Sequence, residues 1–192
     1  NITLIFFGEG ATEQGVFYES INFAALKNLP CLFICEDNLY SVYSNLKTRQ
    51  PKRNILEIVK KMGINGLSGD GNNPLKVFKY YQKAKKFINT NKKPFFLDLK
   101  TYRYLEHCGP FADDHLGYRS KKELISWKKK DPVENFKSFL INRKVISLNN
   151  LTKIEHNIEK KINKFYKLAQ NYSKPKYSKI KNFIFNERKN II

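Results

Sequence analysis

The stretch ITLIFFGEGATEQGVFYESINFAALKNLPCLFICEDN, residues 2–38, carries the fold class. Its first six residues are continuously apolar, branched and aromatic, which predicts a strand buried on both faces. Gly8-Glu9-Gly10 then predicts a tight turn. Val16, Phe17, Ile21, Ala24 and Ala25 recur at helical spacing, so a helix is expected over about 12–28. Pro30 marks a break, LPCLFIC (29–35) reads as a second buried strand, and EDNLYS as a polar loop beyond it. Strand, helix and strand in so short a run make a parallel βαβ unit.

The same alternation continues. RNILEIVKKMG (53–63) predicts a short helix with Gly63 as its C-cap, GLSGDGNNP (66–74) reads as turn chemistry, and LKVFKYYQKAKKFI (75–88) as an amphipathic helix. PFFLDLKTYRY (94–104) predicts a third strand. The expected fold class is therefore α/β, a mostly parallel sheet with helices on both faces. Residues 105–120 read as loop, followed by a helical C-terminal extension. In it, Asp131 caps a helix that has Pro132 at its first position. Leu151, Ile154, Ile158, Ile162, Phe165 and Ala169 form one apolar stripe on a long last helix. One domain is expected over 1–170, then a basic tail over 171–192 that docks on a partner. Asn1 leads straight into the apolar run, which suggests a fragment incomplete at its N-terminus, with a sheet edge left uncovered.

With 192 residues, 41% of them hydrophobic, the chain can build a substantial core. The formal charge of +19 raises nucleic acid as a partner. Against it, the basic residues are mostly lysines spread over helices, without a recognisable nucleic-acid motif, so no nucleic acid is expected; an acidic partner or self-repulsion is the better reading. Cys31, Cys35 and Cys108 fit no zinc spacing, and Cys31 and Cys35 share one strand face as buried thiols. This suggests a reducing compartment. With no signal peptide and no apolar span, no membrane is expected, and the location is the cytoplasm, or the mitochondrial matrix if a transit peptide precedes Asn1.

Three polar clusters, GEGATEQG, EDNLYS and TYRYLEHCGP, each follow a predicted strand. Ligands of open α/β sheets bind beyond the carboxyl ends of the strands, so three clusters at three such ends outline a crevice. The first is neither a Walker A loop nor a dinucleotide fingerprint. Alone it is a ligand-free turn as readily as a phosphate cradle. Asn38 lies 29 residues beyond Glu9; if the two strands are neighbours, their ends bring these residues together. A carboxylate, an amide oxygen and a backbone carbonyl suit Mg²⁺ or Ca²⁺. Equally, Asn38 is the kind of residue that caps a turn.

Gly-Asp-Gly followed by Asn-Asn just under thirty residues later marks thiamine-diphosphate enzymes, and here it stands as Gly8-Glu9-Gly10 and Asp37-Asn38. More closely, GATEQGVFYESINFAALKNLPCLFICEDNLYSVYS, TYRYLEHCGP and GYRSKKELISWKKKDPV resemble the alpha subunit of thiamine-diphosphate-dependent 2-oxo acid dehydrogenases, over about 2–169. The resemblance implies Mg²⁺ ligation by Glu9, Asn38 and the carbonyl of Tyr40. It implies diphosphate contacts from Gly8, Gly10 and Ala11, and a further one from Arg103. His107 matches the active-site histidine of the loop over the cofactor, with His115 a competitor in the same loop; Tyr118 and Arg119 match a loop-closing pair, and Asp113 and Asp114 order it. The implied reaction is oxidative decarboxylation of a 2-oxo acid with acyl transfer to a lipoyl carrier. The implied partners are a beta subunit in a heterotetramer and a lipoyl-bearing acyltransferase.

Two departures stand out. Glu9 replaces the usual Asp, which moves the carboxylate out by about 1.5 Å, and Asp37 replaces the first Asn. The loop wording HCGPFADDHLGYR also differs from typical pyruvate-specific subunits. An acetoin-cleaving or sugar- or lipid-biosynthetic relative, and a degenerate non-catalytic fragment, therefore stand beside the main reading.

Overall fold

The opening apolar run forms strand β1 (Thr3–Gly8), and the second apolar run forms β2 (Cys31–Asp37). A computed structural model describes residues 1–174, which divide into two units, residues 1–139 and residues 140 onward. In the first unit, β1 pairs in parallel with β2, β2 with β6 (Phe95–Lys100), and β6 with β5 (Asn65–Asp70), giving the order β1-β2-β6-β5. A small antiparallel ribbon, β3 (Tyr40–Ser41) and β4 (Ser44–Asn45), follows β2.

Side-chain alternation along β2 and β6 assigns the two faces. Phe33, Cys35 and Phe96 point to one face, where α1 (Gly15–Leu26) contributes Phe17, Ile21 and Ala24 and α3 (Ile55–Lys61) contributes Leu56 and Val59. Phe96 is fully buried and meets Phe7 and Phe17 with ring centroids 6.1 and 6.3 Å apart. Leu32, Ile34, Leu97 and Leu99 point to the other face, under Ala84 and Ile88 of α4 (Pro74–Asn91). The expected α/β class, parallel sheet and two helical layers are thus present. On the α4 side the cover stops short of β1: Leu4 and Phe6 are 45% and 60% exposed beside an open apolar hollow of about 480 Å³.

The turn expected over 66–74 is instead largely strand. Its glycines mark close approach, not chain reversal: a Cβ on Gly66 would lie 2.6 Å from Leu56 Cδ1 and from the Phe96 carbonyl oxygen, and one on Gly69 2.5 Å from the Tyr80 ring. The strand expected over 94–104 stops at Lys100, where its last pairing is with Asp37 and Asp70. The helix expected from about residue 12 begins at Gly15, after a 3₁₀ turn over Glu9–Glu13.

Local signals hold elsewhere. Gly63 follows α3 with φ +93°, the left-handed backbone that favours glycine. Residues 105–120 are loop apart from a 3₁₀ turn at Asp114–Leu116, and α5 (Lys121–Lys128) and α6 (Pro132–Asn142) follow. Asp131 accepts from the backbone N–H groups of Val133 and Glu134, the expected cap. One short connection remains: α2 (Leu46–Arg49), capped by Asn45, leads from the ribbon towards α3. In the second unit, Ser147 caps α7 (Leu148–Asn171), whose Ile154, Ile158, Ile162 and Phe165 are exposed along one stripe. The docking tail expected over 171–192 lies, from residue 175, outside the described residues.

Candidate functional site

Parallel register sets the carboxyl ends of three strands side by side, with Gly8 opposite Glu36 and Asp37 opposite Lys100. The residues just beyond those ends are the ones that the sequence singled out. Glu9 is 4% exposed, and its Oε2 accepts from the Asn38 N–H at 3.4 Å. Asn38 Oδ1 in turn accepts from the Tyr40 N–H at 3.0 Å. Glu9, Asn38 and Tyr40 are therefore one local cluster, built by two neighbouring strand exits.

The glycines of the first exit have different reasons. A Cβ on Gly10 would stand 2.9 Å from Ser41 Oγ, so the turn and the ribbon touch there. A Cβ on Gly8 would meet nothing within 4 Å, and Gly8 has φ −80°, which any residue adopts. Neither packing nor backbone conformation within the chain requires glycine at position 8. Open space over a strand end is where a ligand can approach the backbone closely. Gly10 and Ala11 lie in the first turn of the 3₁₀ segment, where N–H groups lack partners inside the helix.

The third exit reaches the second through Arg103. Its Nη2 donates to the Val42 carbonyl at 2.5 Å and to the Tyr118 hydroxyl at 3.2 Å. Its Nε and Nη1 are buried without a hydrogen-bond partner among the described residues. Two unpartnered guanidinium donors on a side chain that reaches Val42, two residues beyond Tyr40, suit an anion with several oxygens, such as a diphosphate.

Behind Arg103 stands an aromatic and ionic support. Arg119 and Asp113 form an ion pair with both side chains 1% exposed, and Arg119 also donates to the carbonyls of Arg103 and Tyr104. Burial acts to raise the Asp113 pKa, but the Tyr118 hydroxyl and the charges of Arg119 and Arg103 outweigh it, so the carboxyl lies below its ordinary range. Tyr118 is pushed up to about 12, first by burial and then by its bond to Asp113. Tyr40 and Tyr102 both donate to Glu123 of α5, and burial raises both phenols. Trp127 stacks on Tyr102 at 5.1 Å, closing the packing of α5 on this loop.

His107 is exposed, four residues past Arg103, and no hydrogen bond among the described residues joins it to Glu9, Asn38 or Arg103. His115 and Cys108 are exposed too. The nearby loop is held by the Glu106 N–H to the Phe111 carbonyl at 2.9 Å.

Other residues had no sequence motif to reveal them. Arg49 of α2 donates to Glu9 Oε1 at 2.5 Å and to Glu13. Arg53 donates to Tyr18 and to the Thr12 carbonyl. Lys100 bridges Asp37 and Asp98 at 2.5 and 2.9 Å; burial opposes its charge, but the two carboxylates prevail and raise its pKa. Arg53, Lys100, Asp37 and Asp98 line, with Glu9 and Thr12, a cavity of about 200 Å³, where Asp98 Oδ1 has no hydrogen-bond partner among the described residues. No group of three or more His, Cys, Asp or Glu suited to a metal occurs among the described residues, and no helix among them is long and apolar enough to cross a membrane.

Comparison with known proteins adds an independent line. The family model described as "Dehydrogenase E1 component" matches residues 1–178. The pyruvate dehydrogenase E1 component subunit alpha of Rickettsia felis is 30% identical over 175 residues, 91% of this chain and 53% of that protein. The protein of the same name from Bacillus subtilis is 27% identical over 97% of this chain and 50% of its own length. The chain thus spans about half the length of these curated relatives. Among solved structures, a transketolase from Campylobacter jejuni overlaps 52% of this chain and 15% of its own, at 22% identity and a TM-score of 0.47.

Proposed function

Because this chain belongs to the dehydrogenase E1 component family, we propose that it is the diphosphate-binding portion of an alpha subunit of a thiamine-diphosphate-dependent 2-oxo acid dehydrogenase. The observation that carries the reading is the meeting of Glu9 and Asn38, 29 residues apart, at adjacent parallel strand ends. In this reading Glu9 Oε, Asn38 Oδ1 and the Tyr40 carbonyl hold Mg²⁺. All three are hard oxygen donors. Arg103 would offer its two unpartnered donors to the diphosphate, and the backbone of Gly8, Gly10 and Ala11 would hold it from the first strand exit.

Bound thiamine diphosphate supplies the nucleophilic carbon and the electron sink for decarboxylation. The chain's own work is to grip the charged end, to exclude water with the Tyr118–Arg119 loop, and to offer His107 as a mobile proton carrier above the site. A beta subunit completing the site in a heterotetramer, and a lipoyl-bearing acyltransferase that takes the acyl group, are the partners of this reading. The relatives named pyruvate dehydrogenase favour pyruvate as the first 2-oxo acid to try.

Calorimetric titration of thiamine diphosphate with Mg²⁺ into the chain and its beta subunit tests the proposal. Saturable heat that disappears in Asn38→Ala is expected; no heat at millimolar cofactor overturns the reading.

A further inference from the structure

Glu9 already has a cation. Its carboxylate is 4% exposed, and the Arg49 guanidinium, itself 12% exposed at the side chain, meets Oε1 at 2.5 Å. The approach is built in. Asn45 caps α2, which places Arg49 at the end of one helical turn, and Arg49 Nε donates to the Ser44 carbonyl at 3.0 Å. Its Nη1 meets Glu13 and its Nη2 meets Glu9, so the fork spans both carboxylates of the 3₁₀ turn. Gln50 donates to Glu13 at 2.6 Å and ties the far end of the same segment.

Asn38 is likewise satisfied within the chain, through the Tyr40 N–H. Each oxygen assigned to Mg²⁺ on a side chain therefore already faces a donor of this protein. A buried carboxylate without a counter-charge is costly, and Arg49 removes that cost while no metal is present. A guanidinium and a divalent cation compete for one buried carboxylate: both are positive, their mutual repulsion weakens the binding of each, and Mg²⁺ requires oxygen ligands at about 2.0–2.1 Å in near-octahedral order.

We propose that Arg49 is the resident counter-ion of the metal site, and that a divalent cation enters by displacing its guanidinium from Glu9, leaving Arg49 on Glu13. The inference rests on the reading of Glu9 as a metal ligand. Arg49 is then a residue that sets the metal affinity through Glu9, not one that touches the metal. The exchange makes metal-free and metal-bound forms differ by one side-chain swing, with the buried carboxylate charged and paired in both.

The test uses Mn²⁺ alone as the probe, with free ion read by electron paramagnetic resonance, on the wild-type chain and on Arg49→Gln, Arg49→Lys and Glu9→Gln. The expected result is Mn²⁺ affinity at least tenfold tighter in Arg49→Gln, a smaller gain in Arg49→Lys, and loss in Glu9→Gln. The metal-free melting temperature of Arg49→Gln should fall and return to the wild-type value on adding Mn²⁺; a merely structural arginine would leave that deficit in place. Equal affinity in wild type and the Arg49 variants, with loss in Glu9→Gln, overturns the exchange and leaves the metal reading standing. Equal behaviour of wild type and Glu9→Gln overturns the metal reading, and the exchange with it. If Arg49→Gln does not fold, Arg49→Lys carries the same comparison.

Discussion

Tyr40 and Glu123 are 83 residues apart in the chain and 2.9 Å apart in space. Tyr102 donates to the same Glu123 oxygen at 3.0 Å. One carboxylate on α5 thus anchors both Tyr40, two residues beyond Asn38, and Tyr102, the residue that precedes Arg103.

Replacing Glu123 by leucine leaves two buried hydroxyls without an acceptor. The expected loss is about 1–3 kcal/mol per group, read from urea unfolding. Glu123→Gln keeps an acceptor and should recover most of it. Affinity for thiamine diphosphate should fall in the leucine variant because the Tyr40 backbone loses its anchor.

Arg103 should be worth more to ligand binding than to folding, since two of its donors have no partner among the described residues. Arg103→Lys keeps the charge and loses the fork. Affinity for inorganic pyrophosphate with Mg²⁺ should drop roughly ten- to a hundredfold, the equivalent of about one charged hydrogen bond. Calorimetry checks it.

Acid should open the loop through Asp113. Its folded pKa lies below the ordinary value of about 3.9, because the Tyr118 hydroxyl and the charges of Arg119 and Arg103 outweigh the effect of burial. A depressed carboxylate contributes stability above its unfolded pKa and loses it as pH falls through the folded value. Fluorescence of Trp127, the single tryptophan, reports the transition from its stack on Tyr102. Asp113→Asn should be less stable at neutral pH and should lack the acid-dependent part.

Lys100 holds together two carboxylates that are 4% and 2% exposed, Asp37 and Asp98. Lys100→Met should cost about 1–3 kcal/mol for each carboxylate left without its charged partner, measured by urea unfolding at pH 7. Because the folded pKa of Lys100 is raised, its contribution is complete below the ordinary lysine value and fades only as pH rises through the folded one. The stability gap between wild type and variant should therefore close in strong alkali.

The three thiols should separate in rate. Cys108 is exposed, Cys31 is half-buried with a raised pKa, and Cys35 is fully buried, with burial and then the charge of Asp98 raising its thiol well above the usual range. A disulfide reagent at pH 8 should label Cys108 first and Cys31 slowly. Cys35 should react only on unfolding, since the thiolate is the reacting form.

The βαβ opening was legible because its signals are local: two uninterrupted apolar runs and one helical stripe between them. β5 was not, because Gly66 and Gly69 carry the same letters as a turn while serving close packing against Phe96 and Tyr80. Glu9 and Asn38 could be read from their place after predicted strands, and Arg103 from the family resemblance. Arg49 and Glu123 could not, since their partners lie 40 and 83 residues away. One signal was available: the chain favours lysine, and of its six arginines, Arg49, Arg53, Arg103, Arg119, Arg143 and Arg188, the first four all surround the strand exits. Where lysine is the default cation, a retained planar fork points to a geometric task.

β1 stands at the margin of the sheet, with Phe6 and Leu4 turned outward beside it. Such a margin is a template for any extended chain, another copy of the same protein included. The quantity a cell can keep in solution is then governed by the supply of whatever lies along that margin. Yield should respond to co-expression with its cover, and very little to promoter strength.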